Sequence, residues 1–228
     1  MLRKVSIVLS VLVLLLGAFS LILGNSDVVA KQKSEIEPPA DSSLEITEVF
    51  VESHNVRIAE KAKEALSFCE ANGCSTDFCI LIDMKIHSGK HRMFVYDLKK
   101  QEVERTALAA HGSGKGDKRS TGDVPLFGNE NGSLLTSLGK YKIGERSYSQ
   151  WGINVHYKLH GLEASNSNAF KRIVVLHSFT PVPSGEIYPL HLPMGWSFGC
   201  PVTDDETMTL LDAKLKNTKK PVLLWIFY

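Results

Sequence analysis

The apolar runs FCILID at residues 78–83 and RMFVYD at residues 92–97 decide the fold class of this chain. Both runs are rich in aromatic and β-branched side chains, and the Ser88-Gly89 pair between them favours a turn, so they predict a β-hairpin. Residues 102–110 alternate weakly between polar and apolar and are expected to extend the same sheet. Two further apolar runs lie downstream, KRIVVLH at residues 171–177 and VLLWIFY at residues 222–228. The sequence therefore predicts a mainly β domain of the α+β class.

Two helices are predicted, one before these strands and one ahead of the last strand. The first ends at a glycine stop, Gly73, and its apolar residues follow helical spacing. Those apolar residues are Ile58, Ala59, Ala62, Ala65, Leu66 and Cys69. The second helix is expected to begin near Thr203, because Thr203 and Glu206 form a capping-box pattern ahead of an apolar stripe. We therefore expect a helical preface at residues 51–74 and a main domain at residues 75–228.

The first thirty residues have the pattern of an export signal. Arg3-Lys4 precedes an apolar stretch over residues 5–24, and Ala30 is a small residue of the kind that signal peptidase recognises. The stretch is also long enough to span a bilayer as a helix. We therefore expect residues 1–30 to be a signal peptide or an N-terminal membrane anchor, and either one exports the rest of the chain. The polar, proline-containing residues 31–50 are predicted to form a linker.

The composition is that of a soluble globular protein and argues against one broad class of function. Apolar residues make up 43% of the 228-residue chain and charged residues 22%. The 26 Lys and Arg residues are nearly balanced by 25 Asp and Glu residues. A nucleic-acid binder that depends on a basic surface carries a clear excess of Lys and Arg. We therefore expect no nucleic-acid partner.

Cys200 and His177 are the residues that most favour catalysis. Cys200 follows Gly199 and comes a few residues before the predicted second helix. A Gly-Cys turn at a helix N-terminus can lower the pKa of the thiol and can present backbone N–H groups to a developing oxyanion. His177 ends an apolar strand, and an imidazole at a rigid strand end could serve as the base for the thiol. A buried structural cysteine and a histidine with only local hydrogen bonds remain the alternatives at this point.

An ordered set of short motifs extends from residue 94 to Cys200, within a region that runs from about Phe78 to the C-terminus. The motifs are residues 94–98, residues 110–112, residues 137–143, residues 159–163 with Asn166, Asn168 and Ala169, residues 172–177 and the tetrapeptide Ser197-Phe198-Gly199-Cys200. Each motif alone is weakly specific, whereas the complete set in this order is specific. The set resembles the murein L,D-transpeptidase catalytic domain family over about two-thirds of the chain.

The resemblance implies a peptidoglycan-modifying enzyme with an L,D-transpeptidase-like β-sandwich, a short N-terminal helix and a helix after the catalytic cysteine. By resemblance, Cys200 is the nucleophile, His177 is the general base and Gly199 belongs to the oxyanion turn. The cysteine attacks the carbonyl that follows the L-centre of a diamino acid in a stem peptide, and the terminal D-residue leaves. The thioester then passes to an amine, which forms a cross-link. No cofactor is implied, a monomer is expected, and the expected location is the periplasm or cell envelope.

Two departures from the family pattern leave other functions open. Phe198 stands where the wider superfamily has a histidine, and an aromatic residue at this position is typical of one subfamily. Pro201-Val202 replaces a segment that usually carries Arg or Asn two residues after the cysteine. The second departure removes a polar group that could orient substrate. The alternatives are an L,D-carboxypeptidase that uses water as the acceptor and a cell-wall-binding module without catalytic activity.

Several polar residues near the motifs are candidates for binding substrate or for orienting His177. His160 and Glu163 could line the site, and they could equally stabilise a tight turn at Gly161. The Ser197 hydroxyl could hydrogen-bond His177, and it could equally stabilise its own turn.

Two further candidates come from a strand and from an insertion. Arg172 could bind a substrate carboxylate, although a salt bridge is the more common role for an arginine on a strand. Residues 181–193 are inserted between the two catalytic candidates and contain Tyr188 and His191. We expect this insertion to form a lid or a wall of the substrate site.

The other three cysteines cluster near the first predicted strand. In an oxidising compartment we expect one disulfide among them, Cys74–Cys79 or Cys69–Cys79, which leaves one thiol over. A zinc site that combines Cys200 with two histidines would indicate a zinc hydrolase. No closely spaced ligand pair such as C-x-x-C supports that site, so no metal is expected.

Overall fold

The computed structural model describes residues 42–228, which contain two α-helices and ten β-strands. The helices are α1 (Ser42–Asn72) and α2 (Asp205–Leu215), and a short 3-10 helix covers Ala164–Asn166. The strands are β1 (Phe78–Asp83), β2 (Met93–Asp97), β3 (Glu102–Ala107), β4 (Gly114–Lys115), β5 (Lys118–Arg119), β6 (Gly139–Tyr148), β7 (Val155–Gly161), β8 (Val175–Ser178), β9 (Val202–Thr203) and β10 (Leu223–Phe227). The predicted mainly β class, with one helix before the strands and one after Cys200, is confirmed.

One eight-stranded sheet organises these elements, in the order β3-β2-β1-β10-β6-β7-β8-β9. Neighbouring strands are antiparallel except at β1–β10 and β8–β9, which are parallel. The predicted hairpin is β1–β2, in which Phe78 lies opposite Asp97. The last strand in the sequence, β10, lies between β1 and β6 in the middle of the sheet. A central strand is covered on both sides, which explains why residues 222–228 are almost continuously apolar.

The central strands are buried on both faces, and each face packs against one helix. On one face, Ile80 and Ile82 of β1 share a core with Leu211 of α2. On the other face, Leu81 shares a second core with α1, whose buried residues include Ile58, Ala62, Ala65 and Cys69. Because successive strand residues point to opposite faces, burial of both faces requires an uninterrupted apolar run. Strands from both halves of the sheet contribute to the first core, so this core joins β1 to β8 and thereby supports the site described below.

The first helix begins earlier than the sequence predicted. It starts at Ser42, so residues 42–50 of the predicted linker 31–50 are helical, and the rest of that linker lies outside the described residues. No proline or glycine interrupts residues 42–72, and the helix therefore continues until Gly73, which has a positive φ of 67°. The predicted signal or anchor at residues 1–30 lies outside the described residues. Within residues 42–228, no helix combines the length and apolar character needed to cross a bilayer.

All four cysteines lie within the described residues and are free thiols, so neither predicted disulfide is present. Cys69 and Cys79 are fully buried in the core beneath α1, and Cys74 lies beside them. Burial raises the pKa of the Cys69 thiol to about 12, and a hydrogen bond with Cys74 adds to the increase. Burial likewise raises the pKa of Cys79, so Cys69 and Cys79 stay protonated, and all three cysteines act as small apolar core residues.

The second helix begins at a side-chain cap. Asp204 is the N-cap residue, and its carboxylate accepts a hydrogen bond of 2.8 Å from the Thr207 N–H. The sequence predicted Thr203 in this role, but Thr203 belongs to β9 and donates its hydroxyl to the Leu108 carbonyl at 2.9 Å. Because the Thr203 hydroxyl is hydrogen-bonded to a neighbouring segment, the helix is capped by Asp204.

We expect Asp204→Ala to lower the free energy of unfolding by about 0.5–2 kcal/mol, because the first turn of α2 loses its acceptor. Asp204→Asn retains an acceptor oxygen and should lose less. Urea denaturation monitored by circular dichroism measures both values. Equal losses in the two variants would show that the negative charge, rather than the cap, stabilises this position.

Candidate active site

The parallel pairing of β8 with β9 brings the two catalytic candidates together. His177 lies opposite Val202 in this ladder, so Cys200, two residues earlier, lies beside Val175. The Val175 N–H confirms the register, because it donates a hydrogen bond to the Cys200 sulfur at 3.5 Å. Alternate residues of a strand face the same side, and accordingly Val175 and His177 line one cavity together with Cys200. This cavity has a volume of about 580 Å³.

The Cys200 thiol is neutral at rest. Its hydrogen bonds are to the backbone, from the Val175 N–H and to the Ile173 carbonyl at 3.9 Å. Burial raises the pKa of Cys200, and the Val175 N–H and the positive charge of Arg172 only partly oppose this effect. A base is therefore needed to generate the thiolate.

His177 has the tautomer and the protonation state that such a base requires. Its Nδ1 lies 2.9 Å from the Ser178 carbonyl oxygen, which can only accept a hydrogen bond. Nδ1 therefore carries the proton, and Nε2 is left with its lone pair. Burial lowers the pKa of His177 despite this hydrogen bond, so the imidazole is neutral near pH 7 and can accept a proton.

The turn that holds the cysteine is fixed by Ser197 and Gly199. The Gly199 N–H donates to the Ser197 hydroxyl oxygen at 3.0 Å, and this hydroxyl donates to the Cys200 carbonyl at 2.6 Å. Gly199 has a φ of 117°, and a Cβ at this position would lie 2.7 Å from the Leu135 carbonyl oxygen, so only glycine fits. Ser197 thus stabilises its own turn, and the expectation that it orients His177 is not met. The predicted oxyanion donor at Gly199 is likewise already used within the turn.

Arg172 connects this turn to the long loop at residues 111–136. Its guanidinium donates to the carbonyls of Gly128 and Leu135 and to the Ser137 hydroxyl. Because these protein acceptors occupy it, Arg172 does not act as the predicted free site for a substrate carboxylate. Its positive charge nevertheless partly offsets the rise in the Cys200 pKa that burial causes. Arg172 is therefore a positioning residue that also affects the thiol electrostatically.

His160 and Glu163 lie outside the cavity. The His160 ring stacks on Phe170 at a centroid distance of 4.7 Å, and its Nε2 lies 3.5 Å from a Glu145 carboxylate oxygen. Glu163 accepts a hydrogen bond of 2.9 Å from the Lys140 ammonium. These contacts satisfy both side chains elsewhere on the sheet, so the prediction that they line the site or orient His177 is not met.

The insertion at residues 181–193 does not form the predicted lid or wall through Tyr188 or His191. Its Val182 and Leu192 share a buried cluster with Val202, and Cys200 packs against that cluster. The Tyr188 ring packs edge-on against His87, with centroids 5.0 Å apart. His191 stacks on His87 at 3.6 Å, and its Nδ1 hydrogen-bonds the Ser88 hydroxyl at 2.8 Å. Neither Tyr188 nor His191 lines the cavity around Cys200. The flanking segments form the cavity wall instead, through Phe179 and Trp196.

The two departures at the cysteine motif have separate structural consequences. Phe198 is exposed at the mouth of the cavity. Val202 is buried, pairs with His177 in β8 and forms a bridge with Ala110 on its other side. Val202 therefore serves to build the sheet beside Cys200.

His156 is a site residue that the sequence did not reveal. It lies directly opposite His177 in the β7–β8 ladder, and both rings line the cavity. Burial and the nearby Lys158 lower the pKa of His156, and the proximity of His156 in turn lowers the pKa of His177. The alternating pattern of β7 shows which residues share a face with His156, but only the pairing register shows that this face meets His177. Within residues 42–228, no group of three His, Cys, Asp or Glu side chains is arranged to hold a metal ion.

Comparison with known proteins identifies one family. The sequence profile described as the L,D-transpeptidase catalytic domain matches residues 51–225. Similar solved structures include an L,D-transpeptidase from Xylanimonas cellulosilytica, at 11% identity and a TM-score of 0.36, covering 67% of this chain and 61% of that one. The helical cell shape determining protein Pgp2 from Campylobacter jejuni is 12% identical with a TM-score of 0.39, covering 65% of this chain and 46% of that one. This chain thus spans about half to three-fifths of those solved chains. No curated protein matches it.

We expect Arg172→Gln to raise the pH at which iodoacetamide alkylates Cys200, because the variant removes the charge that lowers the pKa of the thiol. Arg172→Lys keeps a positive charge and should cause a smaller change. Mass spectrometry of peptides after alkylation over a pH series measures the midpoint, with the buried Cys69 and Cys79 as internal references.

Arg105→Gln provides the matched control, because Arg105 pairs with Glu206 at 3.2 Å outside the cavity. It should leave the midpoint of Cys200 unchanged. Identical midpoints for wild type and Arg172→Gln would show that the arginine has no electrostatic effect on the thiol.

Proposed function

The chain belongs to the L,D-transpeptidase catalytic domain family, and from this premise we propose that it is an exported enzyme that modifies peptidoglycan through a thioester on Cys200. The observation that carries the proposal is the shared cavity of Cys200 and His177, which adjacent parallel strands hold in register. The proposed substrates are peptidoglycan stem peptides, and no cofactor takes part in the reaction. We propose that the reaction occurs in the periplasm or cell envelope.

The first half of the proposed reaction forms the acyl-enzyme. His177 Nε2 takes the thiol proton, and the Cys200 sulfur attacks the carbonyl carbon that follows the L-centre of the stem-peptide diamino acid. The resulting oxyanion accepts a hydrogen bond from the backbone N–H of Cys200, since the Gly199 N–H is already used. The C–N bond to the terminal D-residue then breaks, and His177 gives its proton to the leaving amine.

The second half transfers the acyl group. An amine of a second stem peptide attacks the thioester carbonyl and loses a proton to His177. The C–S bond breaks, a new amide cross-link forms, and the proton on His177 returns to the Cys200 sulfur. With water as the acceptor, the same steps yield a carboxylate, which is the L,D-carboxypeptidase outcome.

Burial supports a neutral starting pair rather than a preformed ion pair. It raises the pKa of Cys200 and lowers the pKa of His177, so both effects oppose a thiolate–imidazolium pair in the empty cavity. We propose that proton transfer takes place when the substrate is bound. The same raised thiol pKa favours a second candidate, a cell-wall-binding module that has the fold but no turnover.

Incubation of the protein with disaccharide-tetrapeptide muropeptides should release the terminal D-residue or produce cross-linked dimers. Cys200→Ala should reduce this turnover by on the order of 10³-fold or more, because it removes the nucleophile. Cys74→Ala removes a thiol that lies outside the cavity and should retain turnover. Mass spectrometry of the products distinguishes a cross-link from hydrolysis.

The enzyme and the binding module predict different outcomes of this experiment. No turnover by wild type, with Cys200 unreactive toward alkylating agents, would refute the enzymatic proposal. Muropeptide binding of equal strength by wild type and Cys200→Ala, without turnover by either, would establish the binding module instead.

We expect His156→Gln to move the acid limb of the kcat/KM profile to higher pH. His177 must be neutral to accept the thiol proton, and His156 lowers the pKa of His177. Without His156 that pKa rises, so activity is lost at a higher pH as the solution is acidified. His160→Gln changes a histidine of the same strand outside the cavity and should leave the acid limb in place. Superimposable profiles for wild type and His156→Gln would contradict the proposed coupling.

A further inference from the structure

Exposed apolar side chains surround the mouth of the Cys200 cavity. Tyr148 is 72% exposed, Trp151 49%, Ile173 75% and Phe198 63%, and all four line this cavity. Single exposed apolar residues are ordinary on protein surfaces, whereas a cluster of them beside a cavity is typical of a binding site. We call these four residues the apolar rim. Its position beside the nucleophile indicates that the rim contacts the molecule on which Cys200 acts.

The rim rests on a rigid aromatic row inside the cavity. Trp151 packs edge-on against Phe179 with centroids 5.6 Å apart, and Phe179 packs edge-on against Trp196 at 5.7 Å. Such T-shaped pairs restrict the orientation of the rings. The exposed part of Trp151 is therefore a preformed surface, and little side-chain freedom is lost when a ligand covers it.

Ile173 contributes to the rim at a cost in backbone energy. Its φ is 59°, in the left-handed region that β-branched residues avoid. Backbone strain of this kind occurs most often at functional sites. The Ile173 N–H donates to the Phe170 carbonyl at 3.1 Å, and the Ile173 carbonyl accepts from the Cys200 thiol. The strained residue thus holds the nucleophile through its backbone and presents its side chain at the rim.

The charge of the cavity restricts what the rim can bind. None of the lining side chains, all within the described residues, is Lys, Arg, Asp or Glu. The guanidinium of Arg172, whose charge acts on Cys200, donates its hydrogen bonds to protein carbonyls. A carboxylate would find no permanently charged partner at the rim, so the favoured ligand there is neutral. Neutral polar groups are present, including the side-chain amide of Gln150.

A sugar ring combines the properties that this surface requires. It is neutral, its C–H faces pack on aromatic rings, and its hydroxyl and acetamido groups form hydrogen bonds with neutral polar side chains. The proposed substrate carries its peptide on a glycan, and an extended tetrapeptide spans at most ~14 Å. A sugar at the rim can therefore belong to the same molecule as the peptide carbonyl at Cys200.

We propose that the apolar rim, supported by the Trp151–Phe179–Trp196 row, binds N-acetylated sugar rings of the glycan whose stem peptide reacts at Cys200. This inference rests on the proposed function and adds a glycan subsite to it. The subsite gives the enzyme a preference for glycan-linked peptides over free peptides, because binding energy from the sugar is added to that from the peptide.

Sugar binding can be tested without turnover by titrating the full-length Cys200→Ala protein with tetra-N-acetylchitotetraose and following tryptophan fluorescence. Trp151 and Trp196 line the cavity, whereas Trp225 is buried beneath α1. We expect a saturable change in fluorescence in this protein. Addition of Phe198→Ala should weaken the binding by about three- to tenfold, because one aromatic contact is lost.

Leu190→Ala is the matched control, because Leu190 is also exposed but does not line the cavity. It should leave the titration unchanged. A titration without saturation, or one that Phe198→Ala does not affect, would overturn the proposal. The proposal would also be overturned if an octyl-chain amphiphile, kept below its critical micelle concentration, saturated the fluorescence change while the sugar did not. That result would assign the rim to an acyl chain.

A second measurement compares kcat/KM for a disaccharide-tetrapeptide and for the same tetrapeptide without sugar. Wild type should prefer the glycan-linked substrate, and Trp151→Ala should lower kcat/KM for the glycan-linked substrate by a larger factor than for the free peptide. Equal values of kcat/KM for the two substrates in wild type would overturn the subsite while leaving the proposed function intact. Absence of all turnover with an unreactive Cys200 would refute the proposed function, and the chitotetraose titration would then still decide sugar binding.

Discussion

The parallel pairing of β8 with β9 is the constraint on which the rest of the site depends. β9 has only two residues, but it is held by His177 and Ser178 on one side and by Ala110 on the other. The register of this pair sets the position of Cys200 relative to Val175 and His177. A slip of one residue would turn every side chain of β8 to the opposite face and would remove His177 from the cavity. The short strand β9 therefore sets the relative positions of Cys200 and His177.

The turn before β9 is stabilised by hydrogen bonds between its own polar groups. Ser197 satisfies the Gly199 N–H and the Cys200 carbonyl, while Arg172 joins the neighbouring loop to the same region. A polar network of this kind is stable only if its members are satisfied, and here most partners are backbone atoms. The result is a Cys200 that is held rigidly by its turn. In the proposed reaction, the oxyanion therefore depends on the Cys200 amide.

Low polarity characterises both the surroundings of Cys200 and His177 and the apolar rim of their cavity. Burial moves the pKa of Cys200 upward and that of His177 downward, so the resting pair is neutral. The same cavity is lined by aromatic and aliphatic side chains without a permanent charge. A bound substrate that displaces water would strengthen the interactions between the reacting groups. The apolar rim and the neutral state of Cys200 and His177 are thus two consequences of one low-dielectric cavity.

The sequence by itself determined the features that depend on local patterns. Apolar runs predicted the β1–β2 hairpin and the central strand β10, and the Gly-Cys turn and the strand-end histidine indicated Cys200 and His177. Only the tertiary structure decided which side chains meet. His156 joins the cavity through strand register, His160 is directed to Glu145, and Arg172 and Ser197 bind backbone acceptors brought near by the fold. Sequence spacing shows which residues share a face of one strand, but the neighbour of that face is set by long-range pairing.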